Sequence, residues 1–452
     1  MESKLKPSDL KKNHILQLVQ EYYILKQQEK EIDNKIHYAG RVYNEEELML
    51  LVESALDFQL TNGRFIKQFE KNLSKYLNVK YSLMVNSGSS ANLLAFMTLT
   101  SPRLKNRQIK KGDEIITVAA AFPTTISPII NYGAIPVFVD VDINNANIKI
   151  EYLEEALSKK TKAIFIAHTL GIPFNINKIQ EFCKKHNLWL IADCCDSLGT
   201  TYDEKSLESQ CDIATSSFYP AHHITCGNGG AIHTNNKKLY MIAKSFAEWG
   251  RDYKCVNCKS NCDKRYKDGY DCRYSYSHLG YNLQPTEMQA AIGLAQLSKL
   301  NDFKKMRRNN WIYLFNNLKN LNNYFYFQTE IQYKDISTNE SNTAIVEIID
   351  ADISLFTFLI TLKPSCKFTR NDIVQFLENN NIETRFMFAG NILKQKCCEN
   401  LKINEDYRIV GNLTNTNYIM ENSFFIGVYP GLTEDNLKYM ADKINEFMKE
   451  NK

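Results

Sequence analysis

Residues 163–193, AIFIAHTLGIPFNINKIQEFCKKHNLWLIAD, decide the fold. AIFIA (163–167) and LWLIA (188–192) are short, unbroken apolar runs. Between them NKIQEFCKKH carries its apolar residues at helical spacing. An apolar run without alternation suits a strand covered on both faces, and strand–helix–strand is the unit of a parallel sheet. The pattern repeats outward in YSLMV (81–85), EIITVA (114–119), IPVFVDV (135–141) and IATSSF (213–218), with ANLLAFMTL and IEYLEEALS as further helical candidates. The expected fold is α/β, a mostly parallel sheet in three layers with helices on both faces.

Residues 1–36 read as a charged helix with Ile15, Leu18, Tyr22 and Leu25 at three-to-four spacing, and residues 46–60 as another. Beyond about residue 300 come a charged helix, a strand-like TAIVEIID (343–350), the helix RNDIVQFLENN and a last helix, EDNLKYMADKINEFMKE. The expected organisation is an N-terminal helical extension (1–45), a large α/β domain (46–300) and a smaller α+β domain (301–452).

With 55 Lys+Arg against 51 Asp+Glu in 452 residues, the total charge asks for no nucleic-acid or membrane partner. The 44% hydrophobic content excludes global disorder. No secretory leader and no apolar window of about 18 residues is visible, so a cytosolic protein with reduced thiols and no membrane span is expected. The compositional outlier is cysteine, at 12 residues. Cys183, Cys211, Cys226, Cys366, Cys397 and Cys398 are scattered and read as small apolar filler or surface thiols. Cys194 and Cys195 are adjacent, and Cys255, Cys258, Cys262 and Cys272 crowd DYKCVNCKSNCDKRYKDGYDC (252–272). That segment is too polar to pack a core and suggests a metal centre.

Three turns carry candidate chemistry. In VNSGSSANLLAF (85–96) a strand ends and a helix begins, with Gly88 and Ser89 on the turn. Free N–H groups there make either an anion site or an ordinary capped helix start. LWLIADCCDSLGT (188–200) places Asp193 directly after a strand, where ligands bind in open α/β sheets. That carboxylate can pair with a protonated ring nitrogen or simply cap the turn. The third turn is ATSSFYPAHHITCGNGGAI (214–232).

Taken together and in this order, the three motifs resemble the DegT-type sugar-nucleotide aminotransferase family of fold-type-I pyridoxal-phosphate enzymes. Further marks are LTNGRF (60–65), AHTLGIPFN (167–175), HLGYNLQPTEMQAA (278–291) and ETRFMFAGN (383–391). The family pattern has a lysine at SF-x-x-x-K that forms an imine with the cofactor. This sequence has His222 there. Imidazole forms no stable imine, which argues against ordinary transamination. A neutral histidine can still serve as a base; the other reading is a decayed pseudoenzyme.

The substitution is similar to that in the sugar 3-dehydratases of 3,6-dideoxyhexose biosynthesis. The resemblance implies non-covalently held pyridoxamine phosphate and a CDP-linked 4-keto-6-deoxyhexose as substrate. It also implies a [2Fe–2S] cluster and an NADH-dependent flavin/iron–sulfur reductase as electron source. On that reading three cluster thiols are Cys255, Cys258 and Cys262, with Cys272 in reserve. Cys195 is the fourth, because residues two apart on an extended chain share a face and Asp193 must face the cofactor. The family has Cys-x-Cys after WGRD, where this chain has Tyr253 at the first position; tetrahedral zinc on the same thiols is the alternative. The resemblance further places Phe122 on the cofactor ring or in the core, Ser217 at the phosphate and Asp196 at the ring. It places Asn282 at the phosphate of a partner subunit in a homodimer. Arg385 is placed at the anionic substrate, or in a surface ion pair. Competing readings are a cluster-free dehydratase of a GDP-sugar reloaded by glutamate, and a zinc-holding regulatory protein on the same scaffold.

Overall fold

The structure, a computed structural model, describes residues 6–29, 34–252, 270–328 and 351–451. Helices α1 (Pro7–Gln28), α2 (Glu45–Asp57) and α3 (Arg64–Tyr76) come first. Strands and helices then alternate: β1 (Tyr81–Val85), α4 (Gly88–Leu99), β2 (Glu114–Val118), α5 (Pro123–Tyr132), β3 (Ile135–Val139), α6 (Leu153–Ala156), β4 (Thr161–Ala167), α7 (Ile176–His186) and β5 (Trp189–Asp193). Next are β6 (Thr201–Tyr202), β7 (Lys205–Ser206), β8 (Ile213–Ser217), β9 (Gly230–Thr234), α8 (Lys237–Ala247) and α9 (Glu287–Leu318). The C-terminal part comprises β10 (Phe325–Phe327), β11 (Ala351–Asp352), β12 (Thr357–Leu362), α10 (Arg370–Asn379), β13 (Arg385–Phe386), β14 (Arg408–Ile409), α11 (Thr414–Asn422), β15 (Ser423–Gly427) and α12 (Glu434–Glu450).

The main sheet has eight strands in the order β1-β9-β8-β5-β4-β2-β3-β14. Only β9 runs against its neighbours; the pairs from β8 to β14 are all parallel. The apolar runs explain this, since β2 and β5 are buried along their whole length. A second sheet, β10-β12-β15-β13, is antiparallel throughout. One hydrophobic cluster reaches both sheets, from Val137 and Ile166 to Phe358 and Phe424.

Several expectations need adjusting. The first helix ends at Gln28, and Ile15, Leu18, Tyr22 and Leu25 lie exposed along it, so their periodicity marks no core face among the described residues. β3 stops two residues before the apolar run does. Asp140 leaves the strand to accept from the backbone N–H groups of Asn415 and Thr416 (2.9 and 2.8 Å), capping the start of α11. The expected boundary at residue 300 falls inside α9, one unbroken helix of 32 residues. TAIVEIID lies outside the described residues.

α9 is also the anchor of the N-terminal helices. α3 begins at Gly63 without a side-chain cap of its own. The Glu287 carboxylate takes its place, accepting from the N–H groups of Gly63, Phe65 and Ile66 at 2.8, 2.8 and 3.1 Å. A negative group at a helix start satisfies orphan donors and the helix dipole together. A Cβ at position 63 would lie 2.5 Å from the Glu287 carboxylate, which is why LTNGRF carries glycine there.

Glu208 has the opposite character. It is fully buried and neither carboxylate oxygen has a hydrogen-bond partner among the described residues. Burial pushes its carboxyl up to about 8. The folded chain therefore holds this proton while the unfolded chain loses it near pH 4.5, so stability drains away as pH rises from about 4.5 to 8. Glu208→Gln removes that loss. Urea titration should show the variant more stable at pH 8, by on the order of 3 kcal/mol, with the gain vanishing at pH 4. Equal stability of the two proteins at pH 8 would contradict the assignment.

Candidate active site

Five strands of the main sheet end at one cavity of about 640 Å³. Ser87, Gly88 and Ser89 follow β1, Ala120 to Phe122 follow β2, and Thr169 follows β4. Asp193, Cys195 and Asp196 stand at the end of β5, and Ser217, Tyr219 and His222 at the end of β8. The other wall is aromatic: Tyr38, Phe356, Phe386, Phe388 and Phe425, with Arg385 at its rim. This is the crevice outside the carboxyl ends of parallel strands, where open α/β sheets bind ligands.

The anion cup and the capped helix are the same object. Ser87 caps α4, its Oγ accepting from Ser90 N at 3.1 Å. Gly88 and Ser89 open the helix, and their N–H groups belong to the first turn, which has no intrahelical acceptors. Gly88 is required because a Cβ there would lie 2.4 Å from the Ser217 Cβ. That close approach sets the Ser217 hydroxyl beside the helix start.

Asp193 is buried, and three donors converge on it. Asn92 Nδ2 and Thr125 Oγ1 donate to its Oδ2 at 2.8 and 2.7 Å, and Cys195 N to Oδ1 at 3.1 Å. Thr215 Oγ1 donates to Asn92 Oδ1 at 2.6 Å and holds that amide in place. Oδ1 keeps capacity for another donor. Asn92, Thr125 and Thr215 are the neighbours of Asp193 that sequence reading missed, although the quoted stretches 85–96 and 214–232 contain Asn92 and Thr215.

Cys195 lines the cavity, whereas Cys194 is buried in the core. The chain does not stay extended past β5, as the sequence argument assumed. It turns at once, with Ser197 N donating to Cys194 O at 3.1 Å, and the bond from Cys195 N to Asp193 brings Cys195 back to the cavity. Burial pushes the Cys195 thiol well up. Cys255, Cys258 and Cys262 lie outside the described residues, and the backbone of Cys272 opens a short turn, Cys272–Tyr274. Among the described residues no group of three or more His, Cys, Asp or Glu is placed to hold a metal ion.

His222 is mostly buried, its ring lying on Phe356 with centroids 5.2 Å apart. Its Nδ1 has no hydrogen-bond partner among the described residues and lies 3.6 Å from Asp196 Oδ1. Burial lowers its pKa to about 4, outweighing the nearby Asp193 charge. Burial, followed by Asp193, pushes the Asp196 carboxyl up to about 8. Both shifts favour the neutral forms, an imidazole beside a carboxylic acid, over an ion pair.

Phe122 is 50% exposed at the cavity, which excludes a core role; it meets Phe388 edge-on. Arg385 is in an ion pair and also lines the cavity. It pairs with Glu383 at 2.6 Å, and the guanidinium stacks over Tyr38 at 4.3 Å while lining the cavity. Asn282 is not among the lining residues and pairs with Glu248 in an isolated bridge. His168 is buried against Phe174, with ring centroids 3.9 Å apart.

This fold and site define a class. The profile of the DegT/DnrJ/EryC1/StrS aminotransferase family matches residues 42–445, and the chain belongs to that family. It is 48% identical over 417 residues to the lipopolysaccharide biosynthesis protein RfbH of Salmonella typhimurium, covering 90% of this chain and 91% of that protein. It is 39% identical over 421 residues to the dTDP-4-dehydro-2,6-dideoxy-D-glucose 3-dehydratase of Saccharopolyspora spinosa (91% and 86% covered). Among solved structures, E. coli GDP-4-keto-6-deoxy-D-mannose-3-dehydratase with bound hydrated PLP superposes with a TM-score of 0.79 at 30% identity (90% and 98% covered). The sequence-based resemblance and the fold-type-I architecture both hold. No described helix is long and apolar enough to cross a membrane.

Thr125→Val deletes one of the donors that neutralise Asp193. Hydrogen bonds to charged groups are worth about 1.5–3 kcal/mol, so denaturant titration should show a loss of that size. Unchanged stability would mean that the carboxylate finds another donor.

Proposed function

We propose that the chain is a pyridoxamine-phosphate-dependent CDP-4-dehydro-6-deoxyglucose 3-dehydratase. It removes the C3 hydroxyl from a CDP-linked 4-keto-6-deoxyhexose. The observation that carries this reading is His222, a neutral imidazole in the cavity where the family pattern has lysine. Relatives at 39% and 33% identity bear the name of sugar-nucleotide 3-dehydratases.

The cavity suits the cofactor. Gly88 and Ser89 N–H groups with the Ser217 hydroxyl hold the phosphate. Asp193 would take the ring N–H on its spare lone pair, and Asp196 and Phe122 would line the ring's site. Asn282 reaches the phosphate in the second subunit of a homodimer, which agrees with its place outside the cavity of its own chain. When bound, pyridoxamine phosphate supplies the amine that captures the C4 ketone and an acidified hydrogen at C4′. His222 takes and holds the proton from C4′. The aromatic wall keeps water from the reacting carbons, and the Arg385 guanidinium fork orients the substrate phosphates.

The same reading assigns a [2Fe–2S] cluster to Cys195, Cys255, Cys258 and Cys262, reduced by an NADH-dependent flavin/iron–sulfur reductase. Cys195 at the cavity and the thiol-dense segment beyond Asp252 support it. A second reading, a cluster-free dehydratase of a GDP-sugar reloaded by glutamate, draws on relatives of that name at 33% identity.

His222→Asn should bind pyridoxamine phosphate with an unchanged difference spectrum and lose hydrogen exchange at C4′. Exchange at the wild-type rate would remove His222 as the base. In anaerobically purified protein, iron and acid-labile sulfide near two each per chain, with loss of the C3 hydroxyl from the CDP-sugar, are expected. A single zinc, or iron-free turnover of the GDP-sugar with glutamate, would overturn the cluster assignment.

A further inference from the structure

We propose that Arg307 is a positioning residue for His222, acting from α9 behind the cavity wall. The role rests on the reading of His222 as the base.

Arg307 is only 1% exposed. Two of its donors are spent on backbone carbonyls: Nη2 donates to His222 O at 3.1 Å and Nη1 to Phe356 O at 3.0 Å. Nε has no hydrogen-bond partner among the described residues, and Asp196, whose charge acts on the guanidinium, lies beyond ion-pair distance. Burying an unpaired guanidinium is expensive. The surrounding core, with Phe303 and Trp311 on the same helix, would accept Met or Leu more cheaply. What the charge obtains is a rigid fork that joins two segments no hydrophobic side chain could join.

Those segments are the two sides of the base. One is the turn after β8 that carries His222. The other is the strap of residues 353–356, whose Phe356 ring lies on the His222 ring. The strap is pinned from elsewhere too. Phe356 N donates to Leu170 O at 3.1 Å, Ser354 N to Thr200 Oγ1 at 2.9 Å, and His223 Nε2 meets Ser354 O at 3.0 Å. Among the described residues, Arg307 donates from one side chain to the carbonyls of both His222 and Phe356, the residue stacked on the His222 ring. It therefore fixes the imidazole in two directions at once. Lysine, a single nitrogen on a flexible stem without the planar fork, holds two carbonyls in a less fixed geometry.

The test uses the full-length Arg307→Ala and Arg307→Lys proteins with two readouts. The first is the imidazole ¹H–¹⁵N signal of His222 without cofactor, assigned by its absence in His222→Asn. The second is C4′ hydrogen exchange of bound pyridoxamine phosphate. In Arg307→Ala the His222 signal should broaden or move. Exchange should fall about a hundredfold, as expected for misplacement by an ångström, with the cofactor dissociation constant within about threefold of wild type. Free guanidinium should restore part of the exchange, and Arg307→Lys should lie between. A sharp, unmoved His222 signal in Arg307→Ala overturns the proposal. So does a fall in cofactor affinity that parallels the exchange loss without guanidinium rescue, which marks a merely structural role. Absence of exchange in the wild-type protein would instead sink the cofactor reading, and the imidazole signal would still judge Arg307.

Discussion

A carboxylate sits at the end of the central strand β5, 4% exposed, and the architecture around it is arranged to keep it there. An isolated buried carboxylate costs far more than one domain can spare. Asp193 is tolerated because Asn92 from α4, Thr125 from α5 and the Cys195 N–H of its own turn all aim at it, with Thr215 of β8 locking the asparagine. Those groups come from widely separated parts of the chain. Satisfying one charge therefore fixes how the first turn of α4, the start of α5 and the end of β8 meet. The helix start at Gly88, the close approach to Ser217 and the position of His222 follow from that meeting.

On this frame the proposed function turns on a single substitution. The family profile describes aminotransferases, and the cup, the carboxylate and the aromatic cover all suit the same cofactor. On the proposed reading, His222 at the lysine position replaces a covalent hold on the cofactor with a base. Its environment matches: burial keeps the imidazole neutral, and Asp196 beside it retains its own proton at neutral pH. A protonated histidine would be useless for taking a proton; a more exposed one would titrate near 6.5.

Much of this was legible in the sequence because it depends on local features. Apolar runs located the parallel strands, and Gly88, Asp193 and His222 sit on turns whose chemistry follows from strand ends. Legibility failed where a residue's role is set from far away. Asp140 reads as part of a strand until α11, some 275 residues later, presents its free N–H groups. The stripe on α1 has helical periodicity yet covers nothing among the described residues. Cys195 reached the cavity for a reason other than the one assumed, through a turn held by the Asp193 side chain. Arg307 could not be singled out at all, since KKMRRNN reads as a solvated charged face.

That last failure carries physical information. Arg308 pairs with Asp352 in partly exposed surroundings, while Arg307 next to it is buried with no carboxylate in ion-pair contact among the described residues. Helical geometry turns consecutive residues about 100° apart, so one arginine points outward and its neighbour into the wall behind His222. A core designed only for stability would place a hydrocarbon there. The guanidinium persists where two backbone carbonyls, one on each side of the base, can be gripped by one planar group. Four polar residues withdrawn from solvent, Asp193, Asp196, His222 and Arg307, thus gather on and directly behind one wall. The large apolar core spanning both sheets is what makes such a concentration of buried polarity sustainable.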